Sequence, residues 1–449
     1  MLPKKTSLTI VTFAALVLLL NFAKLTRPLA HSAVVDFHSS SAGAPASATK
    51  RTIPTQRPSP ARARTPTDLI DDHENLKAFY QALWRTESKL PGAVTRILHY
   101  GDSPVTADSI TADVRSLLQE HFGDAGHGFI LVAKPWAWYG HRGVEVSGKG
   151  WHIEPASQSR ARDGFHGLGG VSFQGNPGAS SHFVLKDDHA RVEVNYLGQP
   201  GGGLLRITAE GRGIGELDTN APAKNPGFQT FALPPGAHSI DLGVERGPVR
   251  LFGVSFEKDG PGVIYNSLGL NGGQVQVVVR YFDKPQWTLE LQHERPDLVV
   301  LNYGTNESVF AEYIERYYAG ELREVIGRVK AAVPDASILV MSPMDRGQRD
   351  SSGQITTVPT LPRLVEIQQK IAAEMDCAFF NTFQAMGGEG TMGRWYESQP
   401  RLVSADFMHP LPGGARKVGV LLDQALETGY RQYQARHQRS ADPVAEKRQ

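Results

Sequence analysis

Four short stretches of this chain hold residue types that together can carry out acyl transfer. In His99-Tyr-Gly-Asp-Ser-Pro-Val-Thr-Ala-Asp108, Ser103 stands between the apolar run Val94 to Leu98 and a proline. Taken alone, Gly-Asp-Ser-Pro is ordinary turn chemistry, and Ser103 also suits a helix N-cap. A serine on a sharp strand-to-helix turn would instead expose its hydroxyl, and Pro104 fits a first helical turn, where no N–H is needed. In Ser404-Ala-Asp-Phe-Met-His-Pro410, Asp406 precedes His409 by one turn. That carboxylate can orient one imidazole nitrogen and leave the other free to take a serine proton. The same pair could ligate a metal, but companions at similar spacing are lacking. Asn302-Tyr-Gly-Thr-Asn-Glu-Ser308 follows another apolar run, Leu298 to Leu301, where the Asn306 amide can donate to a developing oxyanion. Ile264-Tyr-Asn-Ser-Leu-Gly-Leu-Asn-Gly-Gly273 adds glycines whose backbone N–H groups are open to a ligand.

These residues need rigid elements behind them. The spacing of Leu69, Leu76, Phe79, Tyr80, Leu83 and Trp84 predicts a helix over 68–90, followed by a strand over 93–100 and a helix over 109–121. Strand–helix alternation returns after residue 260. Strands are expected at 296–302, 337–341 and 378–380, and helices at 310–332, 361–375 and 414–433. This order implies a mostly parallel sheet. Between the two parts, residues 151–258 carry short alternating runs broken by Pro-Gly and Gly-Gly, the pattern of a β-sandwich. The expected architecture is one α/β domain, 68–150 and 260–435, interrupted by an inserted sandwich.

Composition narrows the function classes. The 449 residues are 40% hydrophobic and 21% charged, with a formal net charge of +1. That balance argues against a nucleic-acid partner, which would call for a clustered basic face. The single cysteine, Cys377, excludes an intrachain disulfide and reads as a buried thiol. Lys4 and Lys5 precede an uncharged, largely apolar run from Thr6 to Ala23, about 18 residues and near the lower limit for spanning a bilayer. Residues 1–24 are therefore expected to be an uncleaved signal anchor, with a cleaved signal as the alternative; either way the remainder is exported, on the anchor reading membrane-attached on the periplasmic or extracytoplasmic side. The Ser-, Ala-, Pro- and Arg-rich stretch 25–66 reads as a tether, and 436–449 as a disordered tail.

In their order, Gly-Asp-Ser, then Gly, then Gly-x-Asn, then Asp-x-x-His, the four stretches resemble the SGNH hydrolases, the GDSL-type esterase superfamily. The resemblance covers about residues 68–123 and 260–435 and implies a flavodoxin-like three-layer fold with a serine esterase site and no cofactor or metal. It casts Ser103 as nucleophile, His409 as general base and Asp406 as the group that orients it. The oxyanion donors would be Ser103, Asn306 and either Gly269 or Gly272, with Gly269 favoured. Gly304-Thr-Asn-Glu307 departs from the common Gly-x-Asn-Asp, and Pro104 replaces the usual residue after the serine. Both features, with Tyr265–Gly272 and Gly164–Val171, are similar to bacterial peptidoglycan O-acetylesterases that carry an inserted carbohydrate-binding-like sandwich. An acylated glycan is the implied substrate. The aromatic stretch containing Trp136, Trp138 and Tyr139 would line a sugar cleft or else pack the domain junction. The alternatives are an O-acetyltransferase, a lipase-like esterase, or a non-catalytic glycan-binding envelope protein.

Overall fold

Successive residues of a strand face opposite sides of its sheet, and burial along Val94–Gly101 follows that rule. Leu98 and Tyr100 lie in one buried cluster with Val299, Leu301 and Val340. Ile97 lies in a second cluster with Val263, Tyr265, Leu298, Val300 and Leu339. In the computed structural model these strands form a five-stranded, wholly parallel sheet. Its order is Gly262–Gly269, Val94–Gly101, Leu298–Asn302, Ser337–Met341 and Ala378–Phe380. Numbered along the chain this is 2-1-3-4-5, the flavodoxin-like order, whose switch point falls between the first and third strands. Helices Lys77–Glu87, Thr111–Phe122 and Pro412–Ala441 cover one face. Val275–Tyr281, Lys284–Glu294, Ala319–Ala332 and Leu361–Glu374 cover the other. Being buried on both faces, Leu298–Asn302 and Ser337–Met341 are apolar without alternation. The strand–helix order implies the parallel sheet, and the resemblance implies the three layers.

The structure describes residues 65, 67–158 and 163–441, the last four without their side chains. The expected anchor at 1–24 lies outside them, as do the linker apart from Thr65 and the end of the tail from 442. Among the described residues no helix is long and apolar enough to cross a membrane.

Between the first two strands of the parallel sheet comes an antiparallel sheet of nine strands. The long strand Val171–Leu185 pairs with Val249–Glu257 through Phe173–Gly175 and with Ser239–Arg246 through Ser180–Val184. It therefore belongs to both halves of the insert. Val144–Pro155 follows it along both segments, with a register shift between Lys149 and Trp151 where Gly150 takes a φ of +75°. Where a sandwich is expected, the described residues thus form one continuous hydrogen-bonded sheet. Its buried residues join the cluster on one face of the parallel sheet.

Some boundaries differ from expectation for local reasons. The insert's sheet starts at Gly126, because Gly126–Ile130 pairs with Val249–Glu257 and Val144–Pro155 is a single strand that runs through position 151. Gly126-His-Gly-Phe-Ile is buried at every position, so it shows no alternation to read. The first helix begins only at Lys77. Asp71 ahead of it accepts the N–H groups of Asn75 and Leu76 (2.6 and 3.2 Å), and Ile70 bridges to Phe379. The final helix continues to Ala441, past the expected start of the tail.

Candidate active site

Ser103 sits where the first strand ends. Asp102 is extended, at φ −100° and ψ −150°, and Ser103–Thr106 then forms a single helical turn with Pro104 in its first positions. The Asp102 carbonyl accepts the N–H groups of Val105 and Thr106 at 3.1 and 3.0 Å. First-turn N–H groups have no intrahelical acceptor, which leaves that of Ser103 available. The turn is pressed onto glycine on both sides. A Cβ at Gly101 would lie 2.5 Å from Val105 Cγ2, and one at Gly269 would fall inside the backbone of Thr106. Backbone cannot rotate away as a side-chain tip can. Gly269→Ala is therefore expected to destabilise the fold by about 1–3 kcal/mol or more. The measurement is the denaturant midpoint, which should fall; an unchanged midpoint contradicts this packing.

The second loop brings the base. Ser404–His409 closes on itself, with Ser404 N–H donating to His409 O at 2.8 Å and Phe407 at φ +58°. Asp406 Oδ1 accepts from the N–H groups of Met408 and His409, each at 3.0 Å, and from the Ser404 hydroxyl. Asp406 Oδ2 lies 2.6 Å from His409 Nδ1, and His409 Nε2 lies 2.7 Å from Ser103 Oγ. With Nδ1–H donating to the carboxylate, Nε2 is the acceptor for the serine hydroxyl. Burial works against ionisation of Asp406, but the bonds from His409, Ser404 and the two amides outweigh it and hold the carboxyl well below its usual range. The bond to Asp406 raises His409 above the ordinary imidazole value, against the effect of burial. Asp102, adjacent to the serine, is buried, and desolvation pushes its carboxyl up to about 6.

The third and second stretches meet beside the serine turn. The Asn306 amide donates to Gly273 O at 2.9 Å, which fixes the side chain and leaves its second N–H free. Glu307 is fully buried and accepts Val275 N–H at 2.8 Å, at the start of the helix that follows the glycine loop. Desolvation pushes the Glu307 carboxyl up to about 8. Gly269 ends its strand in register with Gly101. Gly272 lies in the turn beyond, at φ +67°, with open space around it and no partner for its N–H among the described residues. Of the two candidate glycines, Gly269 serves close packing, and Gly272 has the freer donor.

The aromatic stretch divides. Trp136 and Tyr139 are buried in the core, and the Tyr139 hydroxyl accepts Leu131 N–H at 2.8 Å. Both are packed mostly inside, whereas Trp138 is exposed, at 54%. Two features had no sequence motif to mark them. Asp108, at φ +51° and just past the serine turn, forms a buried two-point ion pair with Arg115 (3.0 and 2.6 Å) and accepts Arg142 N–H at 2.8 Å. Arg346 donates to Thr305 O at 2.6 Å, within the Asn306 loop.

Residues 236–417 match the GDSL-like Lipase/Acylhydrolase family. That segment contains Asn306, Asp406 and His409; Ser103 lies outside it and reaches it only in the fold. No curated protein matches the chain. The fold is similar to that of a solved structure described as a peptidoglycan O-acetylesterase in action, at 21% identity and a TM-score of 0.70. The match covers 81% of this chain and 99% of that one. A family two carbohydrate esterase from Clostridium thermocellum, solved with cellohexaose, matches at 13% identity, with 63% of this chain and 100% of that chain covered. Its TM-score is 0.28, too slight a likeness to bear on the fold.

Proposed function

We propose that this chain, an ester-bond hydrolase with a GDSL-like lipase/acylhydrolase domain, removes O-acetyl groups from a cell-envelope glycan, peptidoglycan first among them. The observation that carries the reading is the unbroken contact chain from Ser103 Oγ through His409 to Asp406, at 2.7 and 2.6 Å. His409 takes the Ser103 proton as the hydroxyl attacks the acetyl carbonyl, and Asp406 holds the ring and its developing charge. The Ser103 and Gly272 N–H groups and the Asn306 amide receive the oxyanion. His409 then returns the proton to the departing sugar oxygen, and water, deprotonated by the same nitrogen, releases acetate. The glycan substrate draws support from the likeness to the O-acetylesterase fold and from the exposed Trp138, whose flat ring suits a sugar face. The apolar run Thr6–Ala23 with its flanking lysines supports export and anchoring.

The test is acetate release from O-acetylated peptidoglycan and from a chromogenic acetyl ester by the chain lacking residues 1–62. Release from both substrates is expected. Ester hydrolysis without release from the glycan would contradict the substrate, and absence of both would contradict the activity. Asn306→Ala is expected to lower kcat roughly a hundredfold to a thousandfold with little change in KM. Activity within threefold of the parent would remove Asn306 from the oxyanion site.

A further inference from the structure

Two loops from different strand ends must hold a common geometry here, one bearing Asn306 and the other bearing Asp406 and His409. A third segment touches both. Arg346 follows the strand Ser337–Met341 at the carboxyl end of the sheet, half-buried. Its Nη1 donates to Thr305 O at 2.6 Å and approaches Ser308 Oγ at 3.4 Å, one contact on each side of Asn306 and Glu307. The next residue, Gly347, donates its N–H to Phe407 O at 2.9 Å, between Asp406 and His409. A Cβ on Gly347 would lie 2.8 Å from Phe407 Cβ, so this approach is close. Val358 N–H donates to the Arg346 carbonyl at 2.8 Å and anchors the segment from the other side.

The groups acting on His409 are Asp406 from its own loop, Asp102 from the serine turn and Arg346 from the sheet end. Asp102 and Asp406 act on Arg346 in turn. The contacts with Thr305 and Ser308 are both made by Nη1 of a guanidinium that stays charged at this half-buried place.

We propose that Arg346 is a positioning residue that braces the Asn306 loop, through Thr305, on the segment that Gly347 ties to the Asp406–His409 loop. The inference rests on the reading of Ser103, His409 and Asp406 as the reacting groups. Arg346 touches none of the atoms that react; it acts through Thr305 on one side and through its charge on the other.

The experiment compares Arg346→Gln, Arg346→Lys and Ser103→Ala by kcat/KM against pH on a chromogenic acetyl ester. Misplacing the loops should lower kcat/KM about tenfold to a hundredfold in Arg346→Gln. Because Arg346 disfavours the imidazolium, its removal raises His409 further, and the acid limb of the profile moves to higher pH. Arg346→Lys keeps the charge but does not reproduce the placement of Nη1 on Thr305 O, so its kcat should fall while the limb stays where the parent has it. Arg346→Gln with activity within twofold of the parent would overturn the proposal. A loss with the limb unmoved in both variants, or moved equally in both, would do so as well. Activity that survives Ser103→Ala removes the underlying reading together with the proposal. Activity abolished by Ser103→Ala yet indifferent to Arg346→Gln removes the proposal alone.

Discussion

Ser103→Ala is expected to lower kcat on a chromogenic acetyl ester about a millionfold, leaving the residual rate that binding and oxyanion contacts alone provide. The size follows from the connectivity of the site. The Ser103 hydroxyl is the group in contact with His409 Nε2, so without it the base has no nucleophile to activate. The substitution should leave the fold intact. Among the described residues Ser103 Oγ makes its contact with His409 alone, while the turn is held by the Asp102 carbonyl and by packing on Gly101 and Gly269. Far-UV circular dichroism and the denaturant midpoint should match the parent, and KM should stay within a few fold. His409→Ala should cost nearly as much, and the double variant hardly more, because the two residues act as one unit. Additive losses in the double variant would show that they act separately.

The second large effect is at Asp406. Asp406→Asn is expected to lower kcat about ten-thousandfold, because an amide at that position donates where the imidazole also needs to donate and so favours the wrong tautomer. The loop should survive, since Oδ1 keeps its bonds from Met408 and His409 N–H while Oδ2 is the atom replaced. The pH profile gives an independent sign. Asp406 is the main influence raising His409, so its loss lowers the imidazole and moves the acid limb of kcat/KM to lower pH. That shift is opposite to the one expected for Arg346→Gln. A limb that moves the same way in both variants would contradict the arrangement of charge around His409.

The residues of the site differ in how readable they were. Asp406 and His409 are three apart in a single loop, so their contact is local and visible in spacing. Ser103 and Asn306 each follow an apolar run, which places them at strand ends, and the 2-1-3-4-5 order brings those ends together at the switch point. Gly269 and Gly272 could not be separated by pattern, because the choice depends on where the strand stops and what packs against it. Only the structure shows the Thr106 backbone lying on Gly269. The aromatic stretch stayed open for a related reason: Trp136, Trp138 and Tyr139 have no period to assign faces, and tertiary packing buries two of the three. Arg346 belongs to no motif, since its position is defined by contacts with loops some forty and sixty residues away along the chain. The insert's alternating strands were legible, but its first strand, Gly126–Ile130, was hidden by uniform burial.

The central claim is that Ser103 carries the acyl group. The direct measurement is rapid acid quench of the enzyme during turnover of an acetyl ester, followed by mass spectrometry of its peptides. One acetyl group on the Ser103 hydroxyl, formed within the first turnover and absent from Ser103→Ala, is the predicted result. An acetyl group on another side chain, or full turnover with Ser103 unmodified and replaceable by alanine, would contradict the account.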